Sequence, residues 1–582
     1  MNNTKKQVSI ENDISKTWKI ILTILLFIYL LFSYAQKQNL ITADLGRHIK
    51  NGEYFIQHHE PITTNYYSYT QPDFPTRAHH WGAGVIYYVL YNIGGFDLLS
   101  LLNVFLYIIT FILFFKIVIE KSNYIFSIFF TLLGMPLITD RLEIRPEVFS
   151  YCFVAIYFYL LSRFTDDKIK WQYLLVLPVV QVFWVNIHIL FPLGPFLMGV
   201  FGLGELINAY PNSLKSEKLK KLAIIFLLSA LACLVNFWGI QGIIEPFTIL
   251  NNYGMMIVEN MSVVFMQGRF PDRIIYYHIE LITIITLLAI GVIVWLKKGI
   301  SNIPHVILTL VFGILAWKMI RNFPLFGYMF IIVSSISFYE YQKARPINFQ
   351  RNLRLFLTIG SCFIFFIGFA LPSLQYFRQQ LLPKRLEVLK KEYKHNPSKK
   401  DAIMDEVQEI KTKYQDIDTS WTLRNYYSPY KYSFGLGLID NCNKSAEFIK
   451  ANKIPGPYFN NYDIGGYFIF HLFPTYKPFV DNRPEAYSVD FFKDMFMPMQ
   501  QDTTDITWNK FDEKYHFNTI YFYRYDQTPY GQPFLIRRIQ DPLWIPIYVD
   551  DYTVIMIRNE EKNTALLQQF ALDKKMFYSS PN

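Results

Sequence analysis

Residues 98–119 read LLSLLNVFLYIITFILFFKIVI, a run of apolar residues with Lys116 as its one charge. Coiled as a helix at about 1.5 Å per residue, the run reaches roughly 33 Å, enough to cross a hydrocarbon core of about 30 Å. Similar runs stand near 18–35, 123–139, 148–164, 173–187, 189–204, 222–237, 278–296, 303–317, 324–339 and 353–371, about eleven spans in all. The pair 173–187 and 189–204 is short and also fits a re-entrant hairpin around Asn186-Ile187-His188. Trp81–Tyr91 is too short to span and suits a helix lying at the interface. Ser33-Tyr34-Ala35 loosely resembles a signal-peptidase site, but the long first run followed by further spans favours an uncleaved anchor.

The runs stop near Leu371, and the rest of the 582-residue chain reads as an ordinary soluble protein. Charged residues make up 18% against about 25% in soluble domains, while 52% of positions are hydrophobic and 18% aromatic. A disordered chain, a fibrous repeat and a disulfide-stapled scaffold are thereby excluded. Cys152, Cys233 and Cys362 fall inside apolar runs, so with Cys442 they specify neither a disulfide framework nor a metal cluster. The fold class is a polytopic α-helical membrane protein with an appended α/β domain.

The net charge of +10 points to positively charged loops on one side of a membrane rather than to nucleic acid. Alternate loops carry Lys5, Lys6, Lys16 and Lys19; Lys116 and Lys121; Arg163, Lys168 and Lys170; Lys215, Lys218, Lys220 and Lys221; Lys297 and Lys298; and Lys343, Arg345, Arg351 and Arg354. The opposite loops are longer in total and hold about half as many. This bias puts the N-terminus in the cytoplasm and, with an odd number of spans, the segment after Leu371 outside. The expected organisation is a cytoplasmic N-terminus (1–17), a transmembrane domain (18–371) with a first outer loop at 36–97, a charged helical linker (372–420) and an extracytoplasmic α/β domain (421–582). The chain is expected as a multi-pass protein of the inner or plasma membrane, with the bilayer as a partner.

With that topology the unusual polar residues sort to one side. The first outer loop holds Asp44, Arg47, His48, Glu53, His58, His59, Glu60, His79, His80 and Trp81. Next come Asp140 through Glu147, containing Arg141 and Arg145, then Asn186 with His188, Asn236, the 238–277 loop, and Lys318, Arg321 and Asn322. A charge at mid-bilayer costs about 2.5–3.5 kcal/mol on insertion scales, so these groups belong at the interface or in a wet cavity. Any one of them suits a wet loop; five tight turns of one face together favour a cavity opening outward.

Those residues carry a resemblance. Asp44-Leu45-Gly46-Arg47-His48-Ile49-Lys50-Asn51-Gly52 resembles the Asp-x-x-x-His-x-x-x-Gly start of the first outer loop in a bacterial branch of GT-C membrane glycosyltransferases, relatives of protein O-mannosyltransferases and aminoarabinose transferases. Ala78-His79-His80-Trp81, Arg145-Pro146-Glu147, Trp184-Val185-Asn186-Ile187-His188 and Asn236-Phe237-Trp238-Gly239 follow in the same order. So do Asn460-Asn461-Tyr462-Asp463-Ile464-Gly465-Gly466-Tyr467 and Phe479-Val480-Asp481-Asn482-Arg483 in the soluble part. Two departures stand out: Gly46-Arg47 replaces the aromatic pair frequent before the loop histidine, and no second acidic residue adjoins Asp44 in sequence.

The resemblance implies a hexosyl or pentosyl transferase that takes a sugar from a polyprenyl-phosphate donor and delivers it, with inversion, to an extracytoplasmic acceptor: glycan, lipid or protein. Such a reaction needs one base for the acceptor hydroxyl, whereas a glycosidase needs two carboxylates. Asp44, just past the first span, fits the base; its competing role is to cap the helix starting at Leu45. His48, four residues on, shares its helical face and is the second catalytic candidate. Arginine's fork suits phosphate oxygens, so Arg141, Arg145 and Arg321 are candidates for the lipid phosphate, with Lys318 as a further cation. Structural ion pairs to Asp140, Glu143 or Glu147 compete with that role. Glu147, His80, Trp81, Asn186, His188, Asp481 and Arg483 complete the substrate-binding candidates, with His80 and Trp81 as a sugar-stacking surface and Asp481–Arg483 as an alternative turn-stabilising pair. No HExxH or other ligand spacing occurs, and no cofactor is specified; a divalent cation, magnesium or manganese, is left open.

In the soluble part, strands are expected at Pro457-Tyr458-Phe459, Lys477–Val480, Thr519–Tyr523, Trp544–Val549 and Val554–Ile557, the last two around an Asp550-Asp551 turn. Helices are expected around 462–472 and 486–497. No Gly-x-Gly-x-x-Gly or P-loop occurs there, so Gly465-Gly466 is expected to permit close packing at a helix start. Two other classes fit less well. A transporter or flippase of lipid-linked glycans should show inverted repeats and midplane charges, and an envelope scaffold would tolerate loss of Asp44.

Overall fold

The computed structural model describes residues 15–248, 253–299, 302–370 and 434–577. The linker expected at 372–420 lies outside them, as do Leu371, residues 421–433 and most of the N-terminal segment. The helices are α1 (Lys16–Tyr34), α2 (Leu45–His58), α3 (Trp81–Lys121), α4 (Tyr124–Ile138), α5 (Glu147–Thr165), α6 (Val176–Ile187), α7 (Leu193–Asn208) and α8 (Glu217–Ala232). They continue with α9 (Ile240–Thr248), α10 (Val263–Arg269), α11 (Ile274–Trp295), α12 (Ile303–Lys318), α13 (Phe323–Lys343) and α14 (Ile347–Phe365). Among the described residues, six helices are long and apolar enough to cross a membrane, and four shorter ones are equally apolar.

Ser and Asn side chains start several of these helices. Ser15, Asn123 and Ser216 each accept a hydrogen bond from a first-turn amide at 3.2–3.3 Å, satisfying a donor the helix itself leaves free. The bundle packs around α13, which touches α3, α4, α11, α12 and α14. Its buried Ser335 donates to the Phe126 carbonyl at 3.3 Å, one way of placing a hydroxyl where water is excluded. The interfacial helix expected at Trp81–Tyr91 and the span expected at 98–119 are one 41-residue element with a break at Gly94-Gly95. Gly95 there has φ +61°, a conformation other residues adopt only with strain.

The C-terminal part holds a four-stranded mixed sheet: β1 (Tyr458–Asn460), β2 (Thr519–Tyr523), β3 (Trp544–Val549) and β4 (Thr553–Arg558), in the order β1-β2-β4-β3. β1 runs parallel to β2, and the other pairs are antiparallel. Asp550 shapes the β3–β4 turn by accepting the amides of Tyr552 and Thr553 at 2.8 and 2.7 Å. Alternation along the strands separates two faces. Ile520, Phe522, Val554 and Met556 pack an aromatic core with Phe459, Phe479, Trp508 and Phe534. Tyr521, Tyr523, Ile555 and Ile557 join the same apolar cluster as the helix bundle.

Lys477–Val480, expected as a strand, is irregular. Side chains serve its backbone instead: Ser68 and Thr70 donate to the Phe479 carbonyl at 3.1 and 2.9 Å, and the Phe479 amide donates to Asn460 Oδ1 at 2.9 Å. The helix expected around 486–497 begins later, as a π-helical turn Phe491–Phe496 running into Met497–Gln501. The helix expected at 462–472 is a 3-10 turn, Tyr462–Ile464, followed by α15 (Gly465–Leu472).

The two parts are tightly joined. The Gln38 amide donates to the Gly437 carbonyl at 2.8 Å, and the Gln38 side chain accepts from the Ile144 amide at 3.0 Å. α15 packs on α2 so closely that a Cβ on Gly46 would lie 2.9 Å from the Gly466 carbonyl oxygen.

Candidate active site

Asp44 stands at the N-cap position of α2, but its carboxylate makes no capping bond. The side chain turns instead toward one group of α2 itself and groups from two other segments. Oδ1 accepts from Asn482 Nδ2 at 2.5 Å and lies 3.4 Å from Arg47 Nη2, while Oδ2 lies 3.7 Å from Arg145 Nη1. The start of α2 adds its own positive dipole end. One carboxylate is thus held between two guanidiniums and an amide, with about a quarter of its side chain exposed.

Beyond Arg145 lies a cluster that the sequence did not disclose. Arg141 and Arg145 both reach Glu259, at 2.8 and 2.7 Å, and Arg321 approaches it at 3.9 Å. Arg141 also binds Glu147 at 2.6 Å, and Arg145 binds Glu143 at 2.7 Å, so the structural ion pairs weighed for these residues do form. Arg321 is the least committed of the three: it donates to Asn260 at 3.1 Å and stays 3.7 Å from Glu147. Burial pushes the Glu259 carboxyl up, but the Arg141, Arg145 and Arg321 charges hold it well below the ordinary glutamate range.

On the other side of Arg47 a small polar cavity opens, lined among others by Arg47, Asn51, His79, His80, Arg483 and Glu485. Two of its donors, Arg47 Nε and His80 Nε2, are buried without a hydrogen-bond partner. Burial pushes Glu485 up against the pull of Arg47. Four histidines gather here. The His80 ring stacks on His188 at 4.9 Å and lies 4.1 Å from His79 and 5.5 Å from His48. Burial lowers all four well below the usual histidine range, His79 to about 4. Ser150 accepts from Trp184 Nε1 at 2.7 Å and lies 2.7 Å from His188 Nδ1; the Leu190 amide also donates to that nitrogen at 3.4 Å, which makes Nδ1 the acceptor and leaves the His188 proton on Nε2.

The structure therefore brings Asp44, Arg145, Arg141, Glu147 and Arg321 into one charged cluster, and His80 and Arg483 into the adjoining cavity. Other candidates stand apart. His48 is on the helical face expected, but its ring turns to His80 and Tyr87. Trp81 stacks on Phe55 at 4.4 Å, which takes one face of the ring proposed for sugar stacking. Asn186 donates to the carbonyls of Val182 and Val235, both at 2.8 Å, and ties α6 to the end of α8. Asp481 is fully buried and paired with Arg483 at 2.7 Å, as the turn-stabilising alternative has it. A second acid does approach Asp44 in space, from the soluble part: burial, then the charges of Asp526 and Asp44, push Asp463 up to about 7. The described residues do not fit a divalent cation, since no three His, Cys, Asp or Glu side chains among them gather to hold one, and N–H donors surround Asp44.

No family model matches this chain, and no curated protein does. Solved structures are similar. The oligosaccharyltransferase of Archaeoglobus fulgidus tethered with an acceptor peptide aligns with TM-score 0.51 and 10% identity, over 94% of this chain and 75% of that one. The same organism's AglB, in complex with an inhibitory peptide and a dolichol-phosphate, gives TM-score 0.50 and 10% identity with the same coverage. ArnT from Cupriavidus metallidurans, bound to undecaprenyl phosphate, gives TM-score 0.46 and 9% identity over 93% and 98%. At such identities the likeness concerns architecture alone: the chain shares the fold of these oligosaccharyltransferase structures.

Proposed function

We propose that this chain is a glycosyltransferase of the cell membrane, with about eleven spans, a cytoplasmic N-terminus and its C-terminal domain outside. It moves a sugar from a polyprenyl-phosphate donor to an extracytoplasmic acceptor with inversion, and Asp44 is the general base. The observation that carries the proposal is the position of Asp44: between an arginine cluster on one side and a polar cavity on the other. The shared fold with an enzyme solved in complex with dolichol-phosphate supports a lipid-phosphate donor.

The chemistry follows from that layout. A donor phosphate at the end of the bundle meets Arg321 and Arg145, which stabilise the charge that grows on the phosphate as the glycosidic bond breaks. An acceptor in the cavity beside Arg47 presents its hydroxyl to Asp44 from the opposite side, as inversion requires. Asp44 takes the hydroxyl proton while the sugar carbon bonds to the acceptor oxygen, and the polyprenyl phosphate departs with the electrons of the broken bond.

Wild-type and Asp44→Asn proteins, matched for folded yield in membranes that contain endogenous lipid-linked sugars, provide the test. Mass spectrometry should show one envelope glycan, lipid or protein losing a sugar in the variant, with the rate down about 10²- to 10⁴-fold. An unchanged profile under demonstrated donor supply would sink the proposal and favour a transporter or a scaffold.

A further inference from the structure

The group nearest Asp44 comes from the soluble part. Asn482 lies 438 positions later, is 8% exposed, and donates its amide to Oδ1 at 2.5 Å. Arg47 and Arg145 stand farther off, at 3.4 and 3.7 Å. We propose that Asn482 is a positioning residue: by engaging Oδ1 it fixes the rotation of the Asp44 carboxylate and with it the lone pairs left to take the acceptor proton. This inference rests on the reading of Asp44 as base.

The surroundings of Asn482 hold it still. A Cβ on Gly466 would lie 2.9 Å from Nδ2 and 3.1 Å from Oδ1, and also 3.1 Å from the Ala43 carbonyl, so the amide is wedged between α15 and the residue preceding Asp44. The turn that carries it is locked from both sides. Asp481, fully buried, accepts from Arg483 Nε at 2.7 Å, Arg483 Nη2 at 2.8 Å and the Tyr487 hydroxyl at 2.9 Å. Arg483 Nη2 also donates to Asn65 Oδ1 at 2.6 Å, which anchors the turn to the first loop. Without the amide, Asp44 has two guanidiniums within 4 Å and no bond to stop its carboxylate rotating into a closer pair with either one. A paired carboxylate is a poorer base, and a misaligned one loses the near-attack geometry.

The test measures sugar transfer in native membranes, with a lipid extract of those membranes as the titrated donor, for full-length wild type, Asp44→Asn, Asn482→Ala and Asn482→Asp. Asn482→Ala should lower kcat about 10- to 100-fold with the donor KM within about twofold. Asn482→Asp is nearly isosteric, so it reports even if the alanine variant folds poorly. It places a second carboxylate within hydrogen-bond reach of Asp44, and one of the two then keeps its proton to higher pH. The acid limb of its pH–rate profile should move up by about one unit or more. A bond that only docks the domain would leave kcat in Asn482→Ala at the wild-type value once folded yield is matched, and a limb that stays put in Asn482→Asp would mean that the two groups are not in contact in the working enzyme. Wild-type kcat in Asn482→Ala, or an unmoved limb in Asn482→Asp while Asp44→Asn is inactive, overturns the positioning role and leaves the base standing. Activity retained in Asp44→Asn overturns both.

Discussion

Gly52 and Gly84 touch backbone to backbone: a Cβ placed on Gly52 would stand 2.0 Å from the Gly84 carbonyl oxygen. The contact sets how α2 crosses the first turns of α3, and with it where Asp44 and His80 lie relative to one another. Gly52→Ala should therefore cost about 1–3 kcal/mol by overpacking. Thermal melting of the purified protein would read this as a drop of several degrees, whereas an unchanged melting temperature would show that the crossing is soft.

Arg321 and Arg141 differ in how fully they are engaged, and their variants should differ accordingly. Arg141 bonds to two carboxylates within 2.8 Å, so Arg141→Ala leaves buried Glu147 with Arg321, at 3.7 Å, as its remaining counter-charge and should lower the melting temperature. Arg321 holds its carboxylates at 3.7 and 3.9 Å. Arg321→Ala should leave melting nearly unchanged and raise the donor KM about tenfold, in line with loss of one charge-assisted bond. Equal KM effects from the two variants would place the phosphate elsewhere.

Histidine protonation should set the acid limit of stability. His48, His79, His80 and His188 are all held below the usual histidine range by burial, His79 to about 4. In the unfolded chain each takes up a proton near pH 6.5, whereas the folded chain resists protonation. The unfolded state then binds more protons in the window from about 6.5 down to 4, and folding stability falls as pH falls through it. Melting temperatures measured across that window should drop steadily, and His79→Gln should flatten part of the slope. A flat wild-type profile would contradict the buried, neutral cluster.

Asp481→Asn removes one charge of a pair that is almost wholly out of water. Arg483 would then be left buried without its counter-charge, at a cost of about 3–5 kcal/mol. Limited proteolysis should cut the soluble part of this variant more readily than wild type. Resistance equal to wild type would mean that Asn65 and the Tyr67 ring, 5.0 Å from the guanidinium, suffice to hold it.

The helices were legible because an apolar run of about 20 residues has few other fates, and Asp44 was legible because it stands immediately after such a run. What escaped were relations between distant segments. Arg141, Arg145 and Arg321 were visible as a set needing counter-charge, but nothing local marked Glu259, in the 3-10 turn Val258–Asn260 of the long 238–277 loop, as the residue that supplies it. Trp81, next to His80, looked like an open aromatic surface; Phe55, in the last turn of α2, takes one face of it. The i to i+4 spacing put His48 on the same helical face as Asp44, yet one side chain bends toward the cavity histidines and the other toward the arginines. Lys477–Val480 has the composition of a strand, and only the approach of Ser68, Thr70 and Asn460 makes a ladder unnecessary there.

The span of chain between Asp44 and Asn482 also sets a schedule. Ribosomes add about 5–20 residues per second, so Asn482 is made roughly 20 to 90 s after Asp44. For that interval the first loop has been synthesised while the amide that engages its carboxylate does not yet exist. A chain truncated before residue 482 would keep every arginine of the cluster and lack that bond, so synthesis of the soluble part, not insertion of the early helices, is when this centre can first come together.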